Sequence, residues 1–403
     1  MSPTGQVWCH VVKVLDGRDP CRRLACSRYS PEASVPKLEY MKFCTRALPL
    51  LAGLAACGHV ASGTVTFGAA GPWTQVYGQA NKNGIQLAVD EINASPEWQK
   101  GRRLEIVFAD DSGNGVRASE VAQHFVDSTS IVAVVGHVNS GAMVSAAHVY
   151  DKHLAAVATT ATSPSLTGIS PWAFRVIPSD SANGMRIAQF ANKLGRKRAA
   201  VLYENNPYGR GLAENFRKSF AGQIVSLDAI GEGSEQSFEP FVSWFKREQP
   251  DVVFVAGTDA SGSAFLKEAR RQGLNADLFG GDGWQTLAPS ELAEGIYVGA
   301  PFSAQDPRPE VQAFVSAYEK KYSASPDGNA ALAYDATKLL AHAVEKVGAD
   351  RVKIRDYLAN LTEATAYRGI TGTIRFRADG DPVGKGIVMT RVHHGAMQVE
   401  GGQ

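Results

Sequence analysis

From Thr64 onward, short β-branched runs alternate with amphipathic stretches. TVTFGAA (64–70) is predicted as a strand, and 76–94 as a helix, because Ile85, Ala88, Val89 and Ile92 recur on one helical face. RLEIVFAD (103–110), IVAVVGH (131–137) and LAAVATTA (154–161) are further strands, separated by helical segments at 115–128 and 140–152. Near-continuous apolar strands suit a parallel sheet covered on both faces. Parallel neighbours need helical crossovers, and the spacing supplies them.

The rhythm then starts again. RAAVLYEN (198–205), QIVSLDAI (223–230), DVVFVAGT (251–258) and DLFGG (277–281) alternate with helices near 209–220, 237–248 and 259–273. Two successive sets of this kind imply an α/β protein of two doubly wound, Rossmann-like lobes. The final third changes character: helices over 307–322, 330–348 and 350–360 precede an expected hairpin turning at Asp379-Gly380.

Upstream of this pattern stands MKFCTRALPLLAGLAACGHV (41–60). Its apolar part, Ala47 to Ala56, is about half of the roughly 20 residues that span a bilayer. Pro49 and Gly53, with no polar face, argue against a core helix. Lys42 and Arg46 before a short apolar run and small residues match an export signal. Leu54-Ala55-Ala56-Cys57 further resembles the lipobox of bacterial lipoproteins, which implies a signal over 41–56 and lipidation of Cys57. Residues 1–40 would then be an upstream extension from a start assigned too early; Cys9, Cys21 and Cys26 form no CxxC pair, so no metal site is expected there. Beyond Cys57 there is no cysteine, and about 345 residues must be stabilised by their core alone.

The formal charge of +1 and the absence of a basic run with interleaved aromatics argue against nucleic acid. Nothing after Cys57 is long and apolar enough for a membrane helix, so attachment is expected through lipid only. The loop GAAGPWTQVYG (68–78) is neither GxGxxG nor a phosphate loop, and YGRGLAE (208–214) lacks a third glycine. HVNSGAM (137–143) has Val138 where a nucleophile elbow needs glycine, and no HExxH occurs. His393-His394 reads as a surface pair in a strand, with rings on opposite faces. Asp110-Asp111 reads as a cap for the next helix with Ser112. No cofactor, metal or catalytic residue is expected.

Small donors instead collect after the strands, where open parallel sheets bind ligands. VVGHVNSG offers Asn139 and Ser140; VATTATSPSLT offers Thr159, Thr160, Thr162 and Ser163. Hydroxyls and N–H groups at a helix N-terminus can seat a carboxylate. The second set contributes Tyr208 from YENNPYG, Thr258 and Asp259 from AGTDASG, and Asp282 and Trp284 from FGGDGW.

At these residues the chain resembles the leucine/isoleucine/valine-binding proteins, the branched-chain amino-acid receptors of ABC transporters. GPWTQVYGQANKNGIQLAVDEINA, VVGHVNSG, ATSPSLT, NPYGRGL and YDAT (334–337) follow the family's segments in order across about 63–395. The resemblance implies two lobes, 64–180 with 301–368 and 181–300 with 369–403, joined by three hinge crossings near Asp180, Ala300-Pro301 and Gly369. It implies that Ser140 and Thr162 hold a ligand carboxylate, and that the Thr160 carbonyl and Asp282 receive its ammonium. Tyr208 would close over the ligand and Tyr77 would line the side-chain pocket, with Trp73, Asn139, Thr258 and Trp284 as further pocket candidates. The chain departs from the family pattern at Gly113 and Asn139, where some members have a disulfide, and at Asn329-Ala330, Thr258 and Asp282. Those departures imply a larger or more polar side-chain pocket. The expected function is an exported, lipid-anchored receptor of the periplasm or cell envelope that hands an amino-acid-like solute to an ABC permease; a ligand sensor without transport is the alternative.

Overall fold

The first nine described residues form a strand whose side chains are buried from Val65 onward, as a strand covered on both faces requires. The structure is a computed structural model describing residues 63–96, 98, 101–233 and 235–400. The expected signal, Cys57 and the upstream cysteines lie outside the described residues. In chain order the first half comprises β1 (Gly63–Gly71), α1 (Val76–Ala94), β2 (Arg102–Asp110), α2 (Gly115–Asp127), β3 (Ile131–Gly136), α3 (Ser140–Tyr150), β4 (Ala156–Ala158) and β5 (Ala173–Arg175). The second half comprises α4 (Asp180–Lys193), β6 (Arg198–Glu204), α5 (Pro207–Ser219), β7 (Gln223–Ile230), α6 (Glu239–Glu248), β8 (Val252–Ala256), α7 (Asp259–Gln272), β9 (Asp277–Gly280) and β10 (Tyr297–Ala300). There follow α8 (Pro309–Tyr322), α9 (Gly328–Val347), α10 (Arg351–Ala359), the hairpin β11 (Tyr367–Gly369) and β12 (Gly372–Ile374), and the hairpin β13 (Val388–His393) and β14 (Ala396–Val399).

The strands form two main sheets, β2-β1-β3-β4-β5 and β14-β13-β10-β9-β8-β6-β7, parallel except where β13 and β14 join. One face of the first sheet packs Phe67, Val135 and Phe174 against Ile85 and Ile92 of α1, Phe314 of α8 and Leu339 of α9. Its other face packs Val134 and Ala156 against Phe125 of α2 and Met143 and Tyr150 of α3. Gly84 lets α1 and α9 touch: a Cβ there would lie 2.1 Å from the Ala330 carbonyl oxygen. The second sheet is covered in the same way, by α6 and α7 on one face and by α4 and α5 on the other.

The chain therefore passes three times between two lobes, after β5, after β10, and between β12 and β13. The sequence placed the third return at Gly369, but Ile370, Ile374 and Phe376 are all buried in the first lobe's core. That return is pinned by a buried ion pair. Arg175 at the end of β5 donates through Nε to Asp381 Oδ1 (2.6 Å), and through Nη1 to the Ser163 carbonyl (2.8 Å). The turn at Asp379-Gly380 exists, with Gly380 at φ +82°. Its flanks make one bridge, Phe376 to Pro382, rather than two strands. The reason is that its carbonyls serve the first lobe: Gly168 N–H donates to Asp379 O (2.9 Å) and Arg175 N–H to Gly380 O (3.2 Å). His394 also departs from the strand reading; it sits at φ +51° in the turn after β13, while the His393 ring meets Glu294 at 3.2 Å.

Candidate functional site

In both sheets the loops after the parallel strands converge on one cavity of about 490 Å3. Its first-lobe wall starts with α3, whose N-terminus carries no side-chain cap and so leaves the N–H groups of its first turn available. Ser140, the first residue of α3, lines the cavity; its hydroxyl oxygen accepts from Thr162 N–H (3.1 Å) and Ser163 N–H (3.0 Å), which frees its own O–H to donate outward. Thr160 lines the cavity beside it and ties its hydroxyl to the Val138 carbonyl (3.2 Å). Asn139 and Tyr77 complete this wall, the Asn139 amide N–H donating to the Tyr77 phenol oxygen (3.0 Å). Burial above all raises the Tyr77 phenol; the Asn139 hydrogen bond opposes this, and the charges of Asp259, Glu204 and Asp111 add to it.

Beneath the same wall, the His137 ring joins two loops. Its Nδ1 lies 2.6 Å from Asp111 Oδ2 and its Nε2 2.9 Å from the Tyr150 hydroxyl, with all three groups buried. Asp111 also accepts from Gly113 N–H (2.8 Å), so the loop after β2 is fixed against the loop after β3. This gives Asp111 its structural role, that of a tie between loops. The helix cap is Asn114, whose carbonyl oxygen accepts from Val116 and Arg117 N–H groups.

The second-lobe wall is acidic. The Tyr208 hydroxyl donates to Asp282 Oδ1 (3.1 Å) and accepts from Gly283 N–H (3.1 Å), so the phenol and the carboxylate form one unit facing the cavity. Thr258 lines the cavity, with its N–H (3.0 Å) and hydroxyl (2.7 Å) both donating to the buried Glu204. Burial pushes the Asp282 carboxyl up to about 6. Asp180, the first residue of α4, is fully buried nearby, and its carboxyl is held well above the usual range by burial and then by the charge of Asp282. Neither Asp180 oxygen makes a well-formed hydrogen bond, although the Thr162 hydroxyl and Asn183 stand close enough to favour the ionised form. The two acids form a buried pair in which Asp282 is bonded to Tyr208 and Asp180 has no well-formed partner.

Seven of the ten residues that the family resemblance assigned to a ligand site line this cavity: Tyr77, Asn139, Ser140, Thr160, Tyr208, Thr258 and Asp282. Thr162 lies behind it, fully buried, its N–H bound to Ser140 and its carbonyl to Asp180 N–H (2.9 Å). Trp284 is a correction: it is fully buried in the second core, where a Cβ on Gly280 would lie 2.2 Å from its ring. Trp73 is another; its indole donates to the Ala109 carbonyl (2.8 Å), stands edge-on to Phe108, and lines a different cavity. That second cavity, about 740 Å3, also draws on both lobes, with Phe302 and Tyr318 from one and Pro289 and Met397 from the other. Sequence reasoning missed Asn114, Asn205, Asn206 and Glu232 as lining residues, although each follows a strand end; Asn329, singled out there as a departure from the family's pocket, lines the cavity. Among the described residues no group of three His, Cys, Asp or Glu side chains could hold a metal ion, and no helix is long and apolar enough to cross a membrane.

The lobes meet around the cavity. Gln285, after β9, donates to the Asp282 carbonyl (2.9 Å) and accepts from Gly328 N–H at the start of α9 (3.0 Å), one hydrogen bond within each lobe's reach. Gly141 and Pro207 bring the N-termini of α3 and α5 together: a Cβ on Gly141 would lie 3.6 Å from the proline ring.

The profile of the Periplasmic binding protein family matches residues 65–396. The chain is 28% identical over 337 residues to the leucine-, isoleucine-, valine-, threonine- and alanine-binding protein of Pseudomonas aeruginosa, covering 80% of this chain and 88% of that one. Among solved structures it is similar to an ABC transporter substrate-binding protein of Desulfitobacterium hafniense in complex with leucine (30% identity, TM-score 0.72, 84% of this chain and 100% of that one). It is also similar to the branched-chain amino acid transporter substrate-binding protein of Streptococcus pneumoniae in complex with isoleucine (29% identity, TM-score 0.77, 83% and 98%).

Proposed function

Because this chain belongs to the periplasmic binding protein family, we propose that it is an exported receptor that closes on an amino-acid-like solute for an ABC permease. The observation that carries this reading is one cavity with complementary walls: Ser140 and the uncapped start of α3 on the first lobe, Asp282 with Tyr208 on the second. A zwitterion needs donors at its carboxylate and an acid at its ammonium, and here the two lie on opposite lobes. Ser140 and the α3 N–H groups would receive the carboxylate, and Asp282 with the Thr160 carbonyl would receive the ammonium. Thr162 would act from behind, by setting Ser140. A solute held this way favours the closed state by its contacts with both lobes, the lobes turning about the crossings near Asp180, at Ala300-Pro301 and between Phe376 and Val388. Charge-assisted hydrogen bonds contribute about 1.5–3 kcal/mol each, so three or four support micromolar binding, about −8 kcal/mol. Lipid on Cys57 would keep the receptor at the membrane that holds its permease.

Calorimetry and thermal unfolding against the common amino acids test this reading. A zwitterion present at about 100 times its dissociation constant should add about 2.7 kcal/mol of stability. A neutral solute that binds while every zwitterion fails would overturn it.

A further inference from the structure

Resting on that reading of the cavity as an amino-acid site, we propose that its solute carries a second N–H-bearing group besides the α-ammonium, an amide or a cation, and is not a branched aliphatic amino acid. Three observations lead there. The first is the lining itself: it contains five asparagines and the acids Asp282 and Glu232 but no lysine, arginine or histidine, and its aliphatic carbon comes from Val138, Val144 and Pro207. Apart from the rings of Tyr77 and Tyr208, which also present hydroxyls, an isobutyl group would find little to pack against.

The second is the state of the polar atoms. Asn139 spends its N–H on the Tyr77 oxygen, leaving its buried carbonyl oxygen with no donor. Space beside that oxygen is kept by Gly113, at φ +69°, whose absent Cβ would stand 3.2 Å away. The unmet Asn139 carbonyl oxygen asks for a donor on the first lobe, while Asp282 stands for the ammonium on the second.

The third is the field. Buried Glu204 stands directly behind the lining residue Thr258, which donates to it at 2.7 Å, and with Asp282 and Glu232 in the lining and no cation there the cavity is negative. A neutral hydrocarbon gains nothing from that field, whereas an amide N–H or a cation does. The site built to bond an N–H group also rejects the analogue lacking it, because its own acceptors then stay unpaired.

Isothermal titration of the full chain with leucine, isoleucine and valine, with glutamine and asparagine, and with lysine, ornithine and arginine tests the proposal without any variant. At least one solute of the second or third set should bind tenfold or more tightly than every member of the first. Glutamine leading would assign an amide; a basic amino acid leading, with affinity falling as salt is added, would assign a cation. Leucine, isoleucine or valine binding as tightly as any would overturn the proposal while leaving the receptor reading intact. Binding by no amino acid at all would bring down both. In Asn139→Ala, affinity for the preferred solute should fall at least tenfold further than affinity for leucine, which loses only the Tyr77 placement; equal losses would count against Asn139 as the discriminating acceptor.

Discussion

At the scale of single residues, Asp282 is the group on which the proposed recognition turns. Its carboxylate is oriented by the Tyr208 hydroxyl at 3.1 Å and stands at the cavity surface, with Asp180 behind it. Replacing Asp282 by asparagine keeps the shape and removes the charge. We expect zwitterion affinity to fall about 10- to 100-fold, the equivalent of one charge-assisted hydrogen bond, as read by calorimetry. The pH dependence has a definite sign. Burial raises this carboxyl to about 6, and only the ionised form holds an ammonium. Affinity should therefore be steady above that pH and fall as pH drops through it, since binding must then expel a proton. In Asp282→Asn that fall should be much reduced. Asp282 was legible in the sequence because an acid follows a strand end, where such sheets place ligands. Asp180 was legible only as a hinge landmark. Its burial beside Asp282 depends on α4 packing under the Thr162 loop, a contact between residues far apart in the chain. Trp284 was misread because a large aromatic near a strand end serves a core as readily as a pocket. Gly262 and Gly280, which make room for its ring, show which it does.

At the scale of elements, periodicity found the long helices and the central strands, where a buried face repeats over three or more turns or a run is wholly apolar. It missed β5 and β10, of three and four residues, which are too short to show a period and are strands only because a neighbour offers its edge. It also missed α4 and the pairing of β13 with β14, both of which depend on the second lobe for their packing. The element with most leverage on closure is the short turn Asp282–Leu287, which carries Gln285. Gln285 is almost fully buried and bridges the Asp282 carbonyl to the first N–H of α9. Gln285→Ala removes that bridge, and its loss is felt only when the lobes are together, because Gly328 N–H is free to meet water once they part. Affinity should drop about tenfold while the melting temperature of the ligand-free protein moves little. A melting temperature that falls as far as the affinity would assign Gln285 to fold stability instead.

At the scale of the whole molecule, two sheets of like construction are joined by three crossings, and two of these are tied to the loop after β4 that backs the cavity. Arg175 grips Asp381 in the third crossing and the Ser163 carbonyl in the loop after β4. Asp180 N–H, at the first crossing, holds the Thr162 carbonyl in the same loop. A carboxylate seated at Ser140 thus acts on a loop directly bonded to the segments that bend. Two cavities compete for the solute, however, since the larger one near Trp73 and Phe302 is also walled by both lobes. It has the uncapped start of α1, but its acids, Glu319 and Asp327, belong to the same lobe, and the second lobe offers it no acid to face that helix as Asp282 faces α3. A crystal structure of the protein with its bound solute decides between them. The solute's carboxylate should lie within hydrogen-bonding distance of Ser140 and its ammonium within the same distance of Asp282. Density for the solute among Trp73, Phe302 and Tyr318, with the cavity at Asp282 filled by water, would contradict the proposed grip.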